Sequence, residues 1–372
     1  MRIGCPKEIR NQEYRVGLTP AAVMEAAARG HDVLVETGAG IGAGFADADY
    51  IAAGARIADT AEQVFAEAGM IVKVKEPQAV ERRQLREGQI LFTYLHLAPD
   101  RPQTEDLLAS GVTAIAYETV TDASGGLPLL APMSEVAGKL APQVGSWALQ
   151  KANGGRGILL GGVPGVEPAN VVVIGGGVVG TQAARVAAGM GANVTVCDMS
   201  MPRMRYLDDC FGGTFSTRYA SRGSVAELIS GADMVVGAVL IPGAAAPKIL
   251  CRNQVSTMKP GSVLVDVAID QGGCFETSKA TTHDDPIYEC GGVIHYCVAN
   301  MPGAVAHTST IALGNATMPF VLALADKGWR QACEDDEHLL AGLNTHAGRL
   351  TCYAVGKALE IDVISPVVVL NS

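Results

Sequence analysis

Short β-branched runs alternate along the chain with alanine-rich stretches whose apolar residues recur at helical spacing. That alternation predicts an α/β protein with parallel sheets. In the first third, strands are expected over residues 2–5, 31–36, 70–74, 90–95 and 112–117. Thr19 and Pro20 supply an N-cap and a first-turn proline for a helix ending at Gly30, and another helix is expected over 60–68. Residues 132–152 carry a long helical pattern, with Val136, Leu140, Val144, Trp147 and Leu149 on the repeat, placed to connect two units. A second series follows the Gly/Pro-rich turn at 161–168. Its strands are expected at 170–174, 193–197, 234–239, 262–267 and 293–298, with helices at 178–190 and 224–230. Helices at 308–325, near 336–340 and at 350–359 come after that series, so the chain is expected to return to the first unit. The expected domains are 1–130 plus 305–372, and 131–304.

Of the 372 residues, 48% are hydrophobic and 18% charged, enough apolar content for a large core in roughly two domains. The formal net charge of −10 argues against bulk attraction to nucleic acid or an anionic membrane. The apolar stretch at 158–180 is broken by Glu167 and prolines, and that at 234–250 by Pro242, Pro247 and Lys248. No membrane span of about 18–20 residues is therefore expected. The N-terminus, Met1-Arg2-Ile3-Gly4-Cys5-Pro6, lacks the apolar core of a signal peptide. Nine scattered cysteines without a Cys-x-x-Cys pair read as buried thiols in a reducing compartment, and a cytoplasmic protein follows.

The strongest local motif is Val171-Val172-Val173-Ile174-Gly175-Gly176-Gly177-Val178-Val179-Gly180, an apolar strand running through Gly-x-Gly-x-x-Gly into an alanine-rich helix. Gly175 permits the tight turn, Gly177 admits a pyrophosphate against the backbone, and Gly180 lets the helix pack on the strand. The helix N-terminus adds unpaired N–H groups and a partial positive charge. Asp198 lies 23 residues past Gly175, where an acid binds a ribose 2′-hydroxyl and repels a 2′-phosphate. NAD is expected over NADP, against which stand Arg203 and Arg205, residues of the type that accommodates that phosphate. The competing explanation is a structural turn followed by a chance acid. With this motif the expected fold is two doubly wound Rossmann-like domains with a cleft between them, joined by long helices.

Ligands of α/β proteins sit at the carboxyl ends of parallel strands. Arg15 follows the first strand, Lys75 ends the third and His96 ends the fourth. A guanidinium binds a carboxylate bidentately, an ammonium holds or polarises a carbonyl oxygen, and an imidazole takes and returns a proton near neutral pH. Taken singly, Arg15 reads as a surface arginine and Lys75 as a solvated strand end beside Glu76 and Pro77; their convergence on one sheet edge makes the case. In the second series Asp270 follows a strand and is suited to hydrogen-bonding a water or an amine, while Asp266 inside that strand reads as structural. Asn300 ends another strand, either binding cofactor or substrate by its amide or serving as a turn residue before Met301-Pro302-Gly303.

Long segments around these residues resemble the bacterial alanine dehydrogenases, across essentially the whole chain. They are 6–16 with Thr19-Pro20, Val74-Lys75-Glu76-Pro77, Thr93-Tyr94-Leu95-His96-Leu97-Ala98, Pro132-Met133-Ser134-Glu135-Val136-Ala137-Gly138, the 175–180 turn and 237–243. The most specific is 258–276, and 296–303, Thr308-Ser309-Thr310 and Asn315-Ala316-Thr317 complete the set. The resemblance implies reversible oxidative deamination of L-alanine to pyruvate and ammonium with NAD as cofactor. It implies that Arg15 and Lys75 hold the substrate, that His96 is the general acid/base and Asp270 positions water or ammonia, and that Tyr94, Met133 and Asn300 line the substrate pocket. The implied cofactor contacts are Ser134, Gly175, Gly177, Val178, Val179, Gly180, Asp198, Arg203, Val239, Leu240, Val267, Ala268, Ile269, Asp270, Val298, Ala299, Asn300 and Met301. It also implies a discontinuous catalytic domain wrapped on a central NAD domain, and a homohexamer.

The chain departs from the family pattern at Ala245, at Ala220 (with Ser221 adjacent), and at His307, changes that touch peripheral cofactor contacts. Lys327 is a poor metal ligand, and no metal is expected. In the implied chemistry, His96 deprotonates the ammonium and then the attacking water, and the Arg15–Lys75 pair binds the carboxylate and stabilises the carbinolamine oxygen. The rival expectation is the NAD-binding subunit of a proton-translocating transhydrogenase, a similar protein with a membrane partner; a catalytically silent NAD sensor is a third.

Overall fold

The computed structural model describes residues 1–239 and 246–371. It divides into two compact units, Met1–Met133 with Val305–Ser372, and Ser134–Ala304. The first unit opens with β1 (Arg2–Cys5), β2 (Asp32–Glu36), β3 (Arg56–Ala58), β4 (Met70–Val72), β5 (Ile90–Thr93) and β6 (Thr113–Ala116). The second holds β7 (Asn170–Ile174), β8 (Asn193–Asp198), β9 (Ser216–Tyr219), β10 (Met234–Gly237), β11 (Val263–Asp266), β12 (Ile287–Cys290) and β13 (Val293–Tyr296). The chain then returns to the first unit with β14 (Leu343–His346) and β15 (Arg349–Leu350).

The strands form an eight-stranded sheet, β15-β14-β6-β5-β4-β1-β2-β3, and a seven-stranded sheet, β12-β13-β11-β10-β7-β8-β9. Within each, the parallel core runs in the same doubly wound order, and the order reverses between β1 and β4 in one sheet and between β7 and β10 in the other. Only the edges are antiparallel among the described strands: β14 on β6, β15 on β14, and β12 on β13. β4, β5, β6, β10, β11 and β13 are buried along their whole length, which explains their predominantly apolar sequences, with buried His295 in β13 and Asp266 ending β11. The fold is α/β as expected.

Helix Pro20–Ala28 starts where the sequence places it, with the Thr19 hydroxyl accepting the Ala22 N–H at 3.1 Å. Helix Ala131–Ala148 carries the chain from the first unit into the second. The expected strands at 70–74 and 90–95 stop short, at Val72 and Thr93. The cause is local: after one further ladder bond each, Lys73 N–H to the Phe92 carbonyl and Tyr94 N–H to the Val74 carbonyl, side-chain carboxylates take the N–H groups that follow, Glu8 those of Val74 and Lys75, and Glu118 those of Leu95 and His96. The sequence reading missed β3, β9 and β12, short edge strands without an apolar run, as well as β14 and the helices Asp47–Ala52 and Met201–Phe211. It also placed residue 350 in a helix; Leu350 belongs to β15, and the helix is Tyr353–Leu359.

Helix Ala306–Asp335, kinked at Gly328, matches a membrane span by length and hydropathy alone. Half of its apolar window is nevertheless buried against protein, and buried Ser309, Thr310 and Thr317 interrupt it, as in a core helix. The nine cysteines are all free thiols, but they are not uniformly buried: Cys210 is exposed, and Cys251, Cys290 and Cys352 are partly so.

Candidate functional site

In the first unit, Arg15, Lys75 and His96 follow β1, β4 and β5, three neighbouring strands flanking the point where the order reverses. Neither cation is a solvated surface group. Arg15 is 2% exposed, and its Nε and Nη2 donate to the two Glu13 carboxylate oxygens at 2.6 Å each. Burial alone would lower the guanidinium pKa, but the Glu13 pair outweighs it and raises the value. Arg15 Nη1 also reaches Met133 Sδ at 3.1 Å, which brings two of the expected substrate residues together. Lys75 is buried, its backbone N–H is accepted by Glu8 and its carbonyl accepts from Thr93 Oγ1 at 3.1 Å.

His96 is 42% exposed and has φ +49°, in the left-handed region. The Glu118 carboxylate accepts its N–H at 2.6 Å and lies 3.9 Å from its Nδ1. The His96 ring stacks on Tyr94, centroids 5.8 Å apart. Tyr94 is buried, donates to the Leu129 carbonyl at 2.6 Å, and burial raises its hydroxyl pKa, so it stays a neutral hydrogen-bonding wall. Glu8, Glu13 and Glu118 were not singled out from sequence as site residues. The signal the sequence offers is Lys73, a lysine inside the apolar run 70–74, which calls for a buried acid.

In the second unit the glycine turn follows β7 at that sheet's reversal point. Gly175 has φ +101°, and a Cβ there would lie 2.5 Å from the Ala238 carbonyl oxygen. A Cβ on Gly177 would meet nothing within 4 Å, and helix Val178–Gly189 begins there without a side-chain cap. Backbone donors at a helix start with an open approach suit a pyrophosphate. Asp198, at the end of β8, accepts the N–H groups of Gly176 and Ser200 at 2.7 Å each, which fixes its carboxylate beside the turn. Each oxygen retains a lone pair for a ribose hydroxyl. The residues fit a dinucleotide.

Arg203 lies against this turn from within. Its Nε donates to the Gly176 carbonyl at 2.5 Å, its Nη2 to Thr181 Oγ1 at 2.8 Å, and its guanidinium covers the Tyr206 ring. Ser221, adjacent to the departure at Ala220, is engaged as the N-cap of helix Arg222–Gly231.

Asp270 sits in the turn Ile269–Gln271 and accepts the Asn300 N–H at 3.1 and 3.3 Å, so these two residues are joined. Asn300 has φ +60°, and its carbonyl accepts from His283 Nε2 at 3.3 Å. Asp266 is structural, as expected: buried, it accepts the N–H groups of Ala268 and Cys274 and the Ser278 hydroxyl. Val298 and Met301 pack in the core, so any ligand contact from them comes through the main chain, whereas Val178 is exposed and Ser134, Val179, Val239, Val267 and Ala299 are partly so. Leu240 and Ala245 lie outside the described residues. Among the described residues, no group of three or more His, Cys, Asp or Glu side chains is placed to hold a metal ion.

Two doubly wound sheets thus present, at their reversal points, a glycine turn with open backbone donors in one and buried Arg15 and Lys75 with His96 at neighbouring strand ends in the other. The family profile "Alanine dehydrogenase/PNT, N-terminal domain" matches residues 4–137, and "Alanine dehydrogenase/PNT, C-terminal domain" matches 141–353; the chain belongs to this family. It is 60% identical over 364 residues to alanine dehydrogenase from Halomonas elongata, covering 98% of each chain. A solved structure of L-alanine dehydrogenase superposes with a TM-score of 0.94 at 50% identity, covering 97% of this chain and 99% of that one. A transhydrogenase structure from Sinorhizobium meliloti matches at 0.82 with 27% identity, over 95% and 100%.

Proposed function

We propose that this protein is an NAD-dependent L-alanine dehydrogenase catalysing L-alanine + NAD⁺ + H₂O to pyruvate, ammonium, NADH and a proton, reversibly. The observation that carries the proposal is the buried Arg15 and Lys75 beside His96 on three neighbouring strand ends, in a chain 60% identical to an alanine dehydrogenase along its length. The transhydrogenase likeness, at 27% identity, supports the rival less.

Arg15 and Lys75 bind the substrate carboxylate and carbonyl oxygen, and their charge stabilises the oxygen anion that develops when water adds. His96 takes the proton of the alanine ammonium and releases it to solvent, then takes that of the attacking water and delivers it to the departing amine, the steps running backwards in amination. Tyr94 and Met133 line the pocket around the methyl group, and Asp270, oriented through the Asn300 N–H, positions water or ammonia. The residues around Gly175–Gly180, with Asp198, would hold NAD, which when bound accepts the hydride from the alanine Cα. The unit 1–130 plus 305–372 is the catalytic domain and 131–304 the NAD domain in this proposal. A cytoplasmic homohexamer without nucleic-acid or membrane partners belongs to the same proposal by family likeness.

The test is a spectrophotometric assay of the purified protein: NADH forms with alanine plus NAD and is consumed with pyruvate plus ammonium. Hydride exchange between nucleotides without alanine-dependent NADH formation would favour the transhydrogenase instead.

A further inference from the structure

Lys73 directly follows β4 and its side chain is fully buried. Its ammonium lies between Glu8 Oε2 at 3.0 Å and Glu81 Oε1 at 2.7 Å, both carboxylates themselves 2% exposed. Burial pulls the ammonium pKa down, yet the two carboxylates more than offset this, so Lys73 stays charged. Burial raises the Glu8 carboxyl pKa while the Lys73 ammonium opposes the rise, and a buried cluster of this kind has little net stabilising value because desolvation offsets the attraction.

The two carboxylates use their remaining oxygens differently. Glu81 Oε2 accepts the Gln78 N–H at 2.7 Å and so caps its own short helix, Ala79–Arg82. Glu8 Oε1 accepts the N–H groups of Val74 at 2.7 Å and of Lys75 at 3.3 Å. Glu8 therefore grips the backbone that carries Lys75, and Lys73 fixes Glu8 in the position to do so. From the other side Thr93 Oγ1 donates to the Lys75 carbonyl, and Gly17, two residues past Arg15, packs so closely that a Cβ would lie 2.5 Å from the Val72 carbonyl oxygen.

We propose that Glu8 is a positioning residue for substrate binding: locked by Lys73, it fixes the backbone at 74–75 and thereby aims the Lys75 ammonium at the substrate oxygen. The inference rests on Lys75 binding substrate, as proposed above. Glu81 shares the same ion cluster but does not touch the 74–75 backbone, which makes it the internal control.

The experiment compares Glu8→Gln, Glu81→Gln and Lys75→Met in steady-state kinetics, with thermal melts alongside. Both glutamate variants are expected to melt earlier, because each breaks the buried cluster. Glu8→Gln is expected to raise KM for alanine and for pyruvate roughly tenfold or more, the scale of a charge-assisted hydrogen bond, with kcat and KM for NAD changed less than about threefold. Glu81→Gln is expected to leave all KM values near those of the native protein. If Glu8→Gln does not fold, Glu8→Asp serves, since the shorter side chain cannot reach Lys73 and both amides together. Equal KM changes in the Glu8 and Glu81 variants, or none in the Glu8 variant while Lys75→Met is inactive, would overturn the proposal. Full activity in Lys75→Met would instead sink the substrate-binding role of Lys75.

Discussion

Gly177 and Gly180 belong to one motif, yet the structure assigns them opposite kinds of sensitivity. A Cβ on Gly180 would lie 1.8 Å from the Gly175 carbonyl oxygen and 2.9 Å from its carbon, both backbone atoms that cannot rotate aside. Gly180→Ala must push the helix off β7, and a destabilisation of about 3 kcal/mol is expected, the upper range for overpacking. A Cβ on Gly177 meets nothing within 4 Å, and its φ of −66° suits any residue, so Gly177→Ala is expected to change stability by less than about 0.5 kcal/mol. The methyl would nonetheless stand where a pyrophosphate approaches the turn. Losing one charge-assisted hydrogen bond there is worth roughly 1.5–3 kcal/mol, or about 10–100-fold in affinity. Urea unfolding read by circular dichroism gives the stabilities, and NADH fluorescence titration gives the affinities. A folded Gly177→Ala protein that binds NADH within about twofold of the native value would refute this placement of the pyrophosphate.

Further outcomes follow from single side chains. His96→Ala is expected to bind NADH normally while losing turnover by at least about 100-fold, the scale of general acid–base catalysis; near-native turnover would remove His96 from that role. Asp198→Ala is expected to narrow the preference for NAD over NADP, because the carboxylate that repels a 2′-phosphate is gone; unchanged ratios of kcat/KM would contradict this. Buried His295, held by Thr277 Oγ1 at 2.8 Å and the Val293 carbonyl at 3.0 Å, has a pKa lowered from 6.5, chiefly by burial. The unfolded chain therefore binds the proton first, so stability is complete above about pH 6.5 and falls as pH drops below it. Urea midpoints at pH 7.5 and 5.5 should differ less in His295→Asn than in the native protein.

The parallel core was legible because strands buried on both faces write continuous apolar runs, as in Val171-Val172-Val173-Ile174. Edge strands such as Ser216-Thr217-Arg218-Tyr219 carry no such run and are held by pairing with β8, which no local pattern announces. The glycine turn was legible for the same local reason: its chemistry is confined to six consecutive positions and one acid after the next strand. The supporting acids were not. Glu8 meets Lys73 across 65 residues, and Glu118 meets His96 across 22, separations set by sheet order rather than by spacing. One hint was available in Met70-Ile71-Val72-Lys73-Val74, where a lysine inside an apolar run demands a buried counter-charge.

These acids share one physical task. A parallel strand that stops leaves backbone N–H groups without ladder partners at the edge where ligands bind, and a carboxylate placed there accepts them and sets the direction of the next side chain. Glu8 does this after β4, Glu118 after β5 and Asp270 for Asn300 beyond β13. The grip matters most at His96 and Asn300, whose left-handed backbones are unfavourable for residues bearing a Cβ and persist only when neighbouring bonds over-determine them. The Arg15–Glu13 pair extends the task to a side chain, for a buried ion pair gives little net stability, and what its two 2.6 Å bonds secure is the orientation of the guanidinium. In the proposed dehydrogenase, cations and an imidazole held this way would be aimed before substrate arrives, and binding energy would go into stabilising the developing oxygen charge rather than into ordering side chains.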